Sequence, residues 1–236
     1  MNTKIGTCGF RTNKIEYARL FSCVEIQQTF YQPPQIKTLE RWRAEMPDKF
    51  EFVIKAWQII THEAKSPTYN RLKRKLSDAE KAEAGYFKPS AIVKEALNVT
   101  LACAEALKAK TILFQCPASF KPYAENIENL ENFFSNIKRG KLNFAWETRG
   151  AWSDEIVKEI CERHNLWHAV DPFKNKTATP DKCYYRLHGV SGWRYEYETG
   201  ELEELASLLP KNKTSYVFFN NIEMTADALR FQQIVK

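Results

Sequence analysis

Residues 143–149 read NFAWETR, an apolar run that ends in two opposite charges two positions apart. On a strand, successive side chains alternate between faces. Glu147 and Arg149 therefore project with Ala145, while Phe144 and Trp146 project the other way. One charged strand end decides little. A ring of them converging on one place would mark a functional site.

Outward from this stretch, short apolar runs at 5–8, 23–27, 52–56, 111–115, 166–171, 183–188 and 215–220 each read as a strand, several stopped by Gly or Pro. Helical character falls between them, at 13–21, 38–45, 91–107, 124–137, from Ser153 as a plausible N-cap to 164, and at 201–209 and 226–235. About eight strand-helix alternations argue for a parallel sheet covered by helices. Eight such units close as a (β/α)8 TIM-type barrel, here a single α/β domain over residues 1–236. An open doubly wound sheet would carry a G-x-G-x-x-G loop after the first strand, and GTCG at 6–9 is not one. A loop is expected at 29–34. The longest excursion, 57–90 after the third strand, carries His62, the basic run RLKRK at 71–75 and an acidic helical stretch at 78–83. Excursions of that length are usually functional or mobile.

The alternation of residues 143–149 repeats in the other strands. Glu25 and Gln27, Lys55, Gln115, Glu147 and Arg149, Asp171, Arg186 and His188, and Asn220 share one face at the C-terminal ends. Val24, Ile26, Phe52, Ile54, Ile112, Phe114, Leu187, Val217 and Phe219 form the face that helices would cover. Barrels of this kind keep their sites at the C-terminal mouth, so this set is the candidate ligand site, with Tyr31 beside it. The alternative is a structural network in which Glu25, Glu147 and Asp171 neutralise Lys55, Arg149 and Arg186.

Composition narrows the setting. With 44% hydrophobic residues over 236 positions the chain can bury a sizeable core. A net charge of +6, 35 basic against 29 acidic residues, leans toward anionic partners without reaching the excess of a dedicated nucleic-acid binder. No basic and apolar leader opens the sequence, and no stretch approaches the roughly 18 apolar residues of a membrane span. The expectation is a cytoplasmic protein with no membrane partner. Six scattered cysteines without a CxxC pair fit reduced, packed thiols. In that setting the sequons at Asn98, Asn175 and Asn212 are silent. Nothing in the sequence fixes an oligomeric state.

Seven segments, IGTCGF (5–10), VEIQQTFY (24–31), residues 52–62, LFQCP (113–117), WETR (146–149), YRLHG (185–189) and YVFFNN (216–221), together resemble the DUF72 (YecE-like) family in nearly the whole chain and in motif order. The resemblance implies a TIM-type barrel and no particular reaction. The sequence departs from the usual pattern at Cys8 and Phe10, where Ser and Trp are common, at Gln27 and Gln28, where Asn-Ser is usual, and at Thr148 within the familiar Glu-Phe-Arg.

Several chemistries fit the mouth residues. In the first, a small anionic or sugar-like molecule is bound by Lys55, Arg149 and Arg186, with Asp171, Gln115, Asn220 and Tyr31 completing the ligand set. Glu147 would act as base and His188 as a second acid or base, with Glu25 also a catalytic candidate. On that reading Glu147→Gln leaves the fold intact and abolishes turnover. In the second, Arg71, Lys73, Arg74 and Lys75 form an arm for nucleic acid, with Tyr31, Trp57, Tyr69, Tyr86 or Trp193 as stacking surfaces; the plainer alternative is a solvated helix face. In the third, Glu25, Glu147, Asp171 and His188 hold a divalent metal, although Lys55, Arg149 and Arg186 compete for the same carboxylates. Lys55 as a Schiff-base lysine would need to be desolvated, and nearby acids would oppose its neutral form. The cysteines lack a sequence-evident histidine partner. His164 and His168 straddle a helix end and a strand start, which suits structural roles. The aromatic loop with Trp193, Tyr195 and Tyr197 reads equally as lid or packed cap.

Overall fold

The computed structural model describes residues 3–211 and 213–236, so the Asn212 sequon lies outside the described residues. Eight parallel strands form one sheet: β1 (Thr3–Thr7), β2 (Cys23–Ile26), β3 (Glu51–Lys55), β4 (Thr111–Gln115), β5 (Asn143–Glu147), β6 (Trp167–Val170), β7 (Tyr184–Leu187) and β8 (Ser215–Phe219). Their order is β1-β8-β7-β6-β5-β4-β3-β2. Between β1 and β2 the described residues form one isolated backbone bridge, Cys8 to Glu25, with the Gly9 amide donating to the Glu25 carbonyl at 2.8 Å, and the Tyr17 hydroxyl accepts from the Thr7 amide and donates to the Cys23 carbonyl below it. The result is the expected barrel, nearly closed, with helices around it.

The strand parity sorts the side chains into two separate clusters. Val24, Ile26, Phe52, Ile54, Phe114, Phe144 and Trp146 join the outer cluster, shared with the helices. Cys23, Val53, Leu113, Ala145, Ala169, Tyr184 and Phe218 fill the interior. Two residues further along each strand stand Glu25, Lys55, Gln115, Glu147, Asp171, Arg186 and Asn220. An apolar plug thus forms the floor, and the polar set forms a layer above it.

Helices are placed by caps and by apolar faces. Ser153 accepts from the Ile156 amide and starts the helix Asp154–Arg163. Along Ala91–Leu107 the buried face runs through Ile92, Ala96, Cys103 and Leu107. Where the sequence suggested a loop, a helical turn Gln28–Tyr31 forms, because the Thr29 hydroxyl bonds to the carbonyls of Ile26 and Lys55 at 3.3 and 2.7 Å. Such tertiary anchoring leaves no periodic trace. Leu72 to Leu76, across the basic run, is not helical, so that run is not a helix face.

The excursion 57–90 is tied to the body. The amides of Gly85 and Phe87 donate to the carbonyls of Ile59 and Ile60 at 2.8 and 2.9 Å. Phe87 is buried against Phe114, Phe120, Phe133 and Phe134. Gly85, Tyr86 and Phe87 all have positive φ, at 84°, 54° and 57°, and a methyl on Gly85 would also strike the His62 carbonyl. All six cysteines are buried and unpaired. Among the described residues no helix is long and apolar enough to cross a membrane.

Gly6 makes the β1–β2 seam possible, since a methyl there would overlap the Cys23 carbonyl oxygen, a backbone atom that cannot swing aside. Gly6→Ala is expected to lower stability by about 2 kcal/mol or more, the scale of overpacking in a close-packed interior. Urea unfolding measures it; an unchanged midpoint would contradict this account of the seam.

Candidate functional site: a charged barrel mouth

Arg186, at the end of β7, is 1% exposed and lies between two buried carboxylates. Its Nε and Nη2 donate to Glu25 on β2, at 3.0 and 2.9 Å, and its Nη1 donates to Glu147 on β5 at 2.5 Å. Glu25 also accepts from Tyr184 Oη at 2.5 Å, from Cys8 Sγ at 3.2 Å and from Gln27. Glu147 accepts from Gln115 Nε2 at 2.7 Å and Arg149 Nε at 2.9 Å. Burial alone would raise both carboxyl pKa values, but Arg186 outweighs it and holds each below the ordinary carboxylate range. Burial likewise opposes the guanidinium charge, and the two carboxylates more than restore it.

His188 follows from the same arrangement. Its Nε2 lies 2.9 Å from Arg149 Nη2 and 3.3 Å from Arg186 Nη1. Guanidinium nitrogens only donate, so Nε2 must present its lone pair and the ring proton sits on Nδ1. That nitrogen faces Asp171 Oδ2 at 3.9 Å. Burial and then the Arg186 charge lower the His188 pKa to about 4. Asp171 accepts instead from the backbone amides of His188 and Phe173, both at 3.2 Å. Burial leaves its pKa raised in spite of those bonds.

Lys55 stands apart. Its side chain is buried, at 5% exposed, and Nζ lies 3.5 Å from the centroid of the Phe30 ring. Among the described residues no carboxylate comes within ion-pair distance of it. Burial, followed by repulsion from Arg186, lowers its pKa to about 7.

Above this layer opens a cavity of about 760 Å³. Lys55, Gln115, Arg149, Arg186, His188 and Asn220 line it, and so do Tyr31 and Gln27. Glu25 lies beneath, at 0% exposed, and Asp171 borders a neighbouring cavity of about 510 Å³ that shares Arg149 and His188. Of the basic run, Arg71 reaches the mouth, stacked on Tyr31 at 4.4 Å, whereas Arg74 is paired with Glu80 and Glu95. Trp57 is buried, Tyr69 is bonded to the His62 carbonyl, and Tyr86 packs on Phe120. Trp193, 58% exposed, stands on the rim, while Tyr197 is a packed cap whose hydroxyl accepts from the Gly189 amide. Among the described residues no three His, Cys, Asp or Glu side chains gather as a metal-holding group. Arg186 occupies the space between Glu25 and Glu147 that an ion would need.

Strand alternation missed Phe30, Arg11 and Lys174, which sit on turns and loops without a period. Tyr184 was within its reach, being two residues before Arg186 on the same face.

Fold and site together define a (β/α)8 barrel with a buried carboxylate-guanidinium-carboxylate layer at its mouth. The chain belongs to the DUF72 family: the family model described as "Protein of unknown function DUF72" matches residues 12–236. It is 23% identical over 240 residues to the UPF0759 protein YunF of Bacillus subtilis, covering 87% of this chain and 79% of that one. A crystal structure of a DUF72 family protein from Enterococcus faecalis superposes with a TM-score of 0.75 at 21% identity, over 99% of this chain and 95% of the other. Another, from Thermotoga maritima, gives 0.71 at 21% identity over 100% and 99%.

Because Glu147 is a buried partner of Arg186, Glu147→Gln is expected to destabilise the fold by about 3 kcal/mol, the scale of breaking a buried ion pair. A variant as stable as the parent in urea would show that the pair contributes little. A second expectation concerns acid. Burial lowers the pKa of His62 to about 3 and that of His168 to about 4, as for His188. Their folded values lie below the unfolded value near 6.5, so the stability they carry is complete above that pH and is lost as pH falls toward 4. Each should contribute a loss of roughly 1–2 kcal/mol between pH 7 and 5. A urea midpoint unchanged over that interval would count against neutral, buried rings.

Proposed function

We propose that the mouth binds a small polyhydroxylated anion, such as a phosphorylated or carboxylated sugar. One observation carries this reading: the cavity is lined by Arg11, Lys55, Arg71, Arg149, Lys174 and Arg186, and by no Asp or Glu. Of the nearby carboxylates, Glu25 lies beneath and is engaged by Arg186, Glu147 is engaged by Arg186 and Arg149, and Asp171 and Asp154 face the adjoining cavity. What faces the ligand is an excess of positive charge lining one recess, where charge-assisted hydrogen bonds to an anion can converge.

The remaining lining suits the uncharged part of such a molecule. Gln27, Gln28 and Asn220 offer amides that both donate and accept, matching hydroxyl groups. Trp193 offers an apolar face at the rim. In this reading Glu147 and His188 orient Arg149 and Arg186. Glu147 has both oxygens engaged by cations, and the His188 lone pair is turned toward two guanidinium groups, so neither is poised to take a proton from a ligand.

Calorimetric titration with glycerol 3-phosphate and glucose 6-phosphate, beside glycerol and glucose, tests the proposal. Binding of the phosphorylated compounds alone is expected, weakening as ionic strength rises. Arg71→Ala, at the rim, should weaken it about tenfold, the equivalent of roughly 1.4 kcal/mol, without altering the unfolding midpoint. Equal responses to the neutral sugars, or none to the phosphates, would remove the anion reading.

A further inference from the structure

The cationic lining leaves one residue unexplained. An anion site needs charge at the surface of the cavity, and Arg11, Arg71, Arg149 and Lys174 supply it. Lys55 is buried among the strand ends, where a permanent cation is costly unless it is paired. The charged and titratable groups that face it are Arg186, Arg149, Glu147, Glu25 and His62. Both carboxylates are committed elsewhere: Glu25 to Arg186, Tyr184, Cys8 and Gln27, and Glu147 to Arg186, Arg149 and Gln115. Nζ instead lies over Phe30, whose ring also meets His62 edge-on, with centroids 4.9 Å apart. An arginine in this place could not shed its charge, whereas a lysine can.

We infer that Lys55 is a nucleophile: its amine condenses with the carbonyl carbon of a small aldehyde or ketone whose phosphate or carboxylate is held by the rim cations. The inference rests on the anion reading for its substrate class. The nitrogen lone pair forms the C–N bond as the carbonyl π electrons move to oxygen, giving a carbinolamine after proton transfer from nitrogen to oxygen. The C–O bond then breaks, the oxygen leaves as water with a proton drawn from solvent in the open cavity, and a protonated imine results. No oxidant or reductant is needed. The iminium carries one positive charge, as the ammonium does, so Glu25 and Glu147 face the same charge before and after.

Desolvation and the neighbouring guanidinium groups favour the free amine, while the Phe30 face and the two carboxylates favour the cation. The balance falls near neutrality, with a pKa of about 7, where amine for attack and acid for dehydration coexist.

The test uses the whole protein with glyceraldehyde 3-phosphate, glyoxylate or neutral glycolaldehyde, each with sodium cyanoborohydride, followed by intact mass and peptide mapping. One adduct per chain, on Lys55, is expected with the two anionic carbonyl compounds. It should form on the order of 100-fold faster at pH 7.5 than adducts on exposed lysines, and be half-maximal near pH 7. Glycerol 3-phosphate, which has no carbonyl, should slow it by competition. Lys55→Arg should abolish trapping, with its fold checked by thermal unfolding. The map of the parent protein needs no variant. Label spread over surface lysines with Lys55 unmodified, while glycerol 3-phosphate still binds, overturns the nucleophile and leaves the anion site standing. Trapping at Lys55 by glycolaldehyde as fast as by the anionic compounds, with no glycerol 3-phosphate binding, overturns the anion site and the substrate class.

Discussion

Arg186 holds the mouth together. From β7 it reaches carboxylates on β2 and β5, so one side chain ties three strands across the interior of the ring. Buried ion pairs of this sort are not cheap stabilisers, because desolvation consumes most of their attraction. Their effect is to fix geometry. An arginine stays charged at any pH the fold meets, and its two partners therefore stay ionised. Once those three charges are set, His188 is held neutral and Lys55 is left without an anion of its own.

The mouth consequently has two layers of different electrical character. In the lower one, charges are matched and nearly every donor and acceptor is used, as a rigid support requires. In the upper one, Arg11, Arg71 and Lys174 add positive charge to a cavity that no Asp or Glu lines, although Lys174 also faces Asp171 in the adjoining one. Lys55 belongs to neither, being buried like the first and unpaired like the second.

Much of this was legible in the alternation of residues 143–149. The period of two in Ala145, Glu147 and Arg149 against Phe144 and Trp146 recurs in β2, β3, β4, β7 and β8, and it gave both the barrel and the inward ring of polar residues. What alternation cannot convey is pairing. Glu25, Glu147, Lys55 and Arg186 are equivalent positions by that criterion, and only the closed ring shows that Arg186 takes both acids and Lys55 neither. Nor does it register Phe30, fixed by a helical turn that depends on the Thr29 hydroxyl reaching the Lys55 carbonyl. Rim cations such as Lys174 are likewise placed by loop paths with no repeat to read.

The bridge between Cys8 and Glu25 has a mechanical consequence. Seven strand junctions are laced by ladders of hydrogen bonds, but among the described residues the backbones of β1 and β2 bond directly only at their upper ends, beside the carboxylate that grips Arg186. Below that point the Tyr17 hydroxyl spans the seam, accepting from the Thr7 amide at 2.9 Å and donating to the Cys23 carbonyl at 3.1 Å, while Gly6 lets the two strands approach. The closure of the ring is thus entrusted to a side chain of the helix between the two strands, where the other junctions have a backbone ladder.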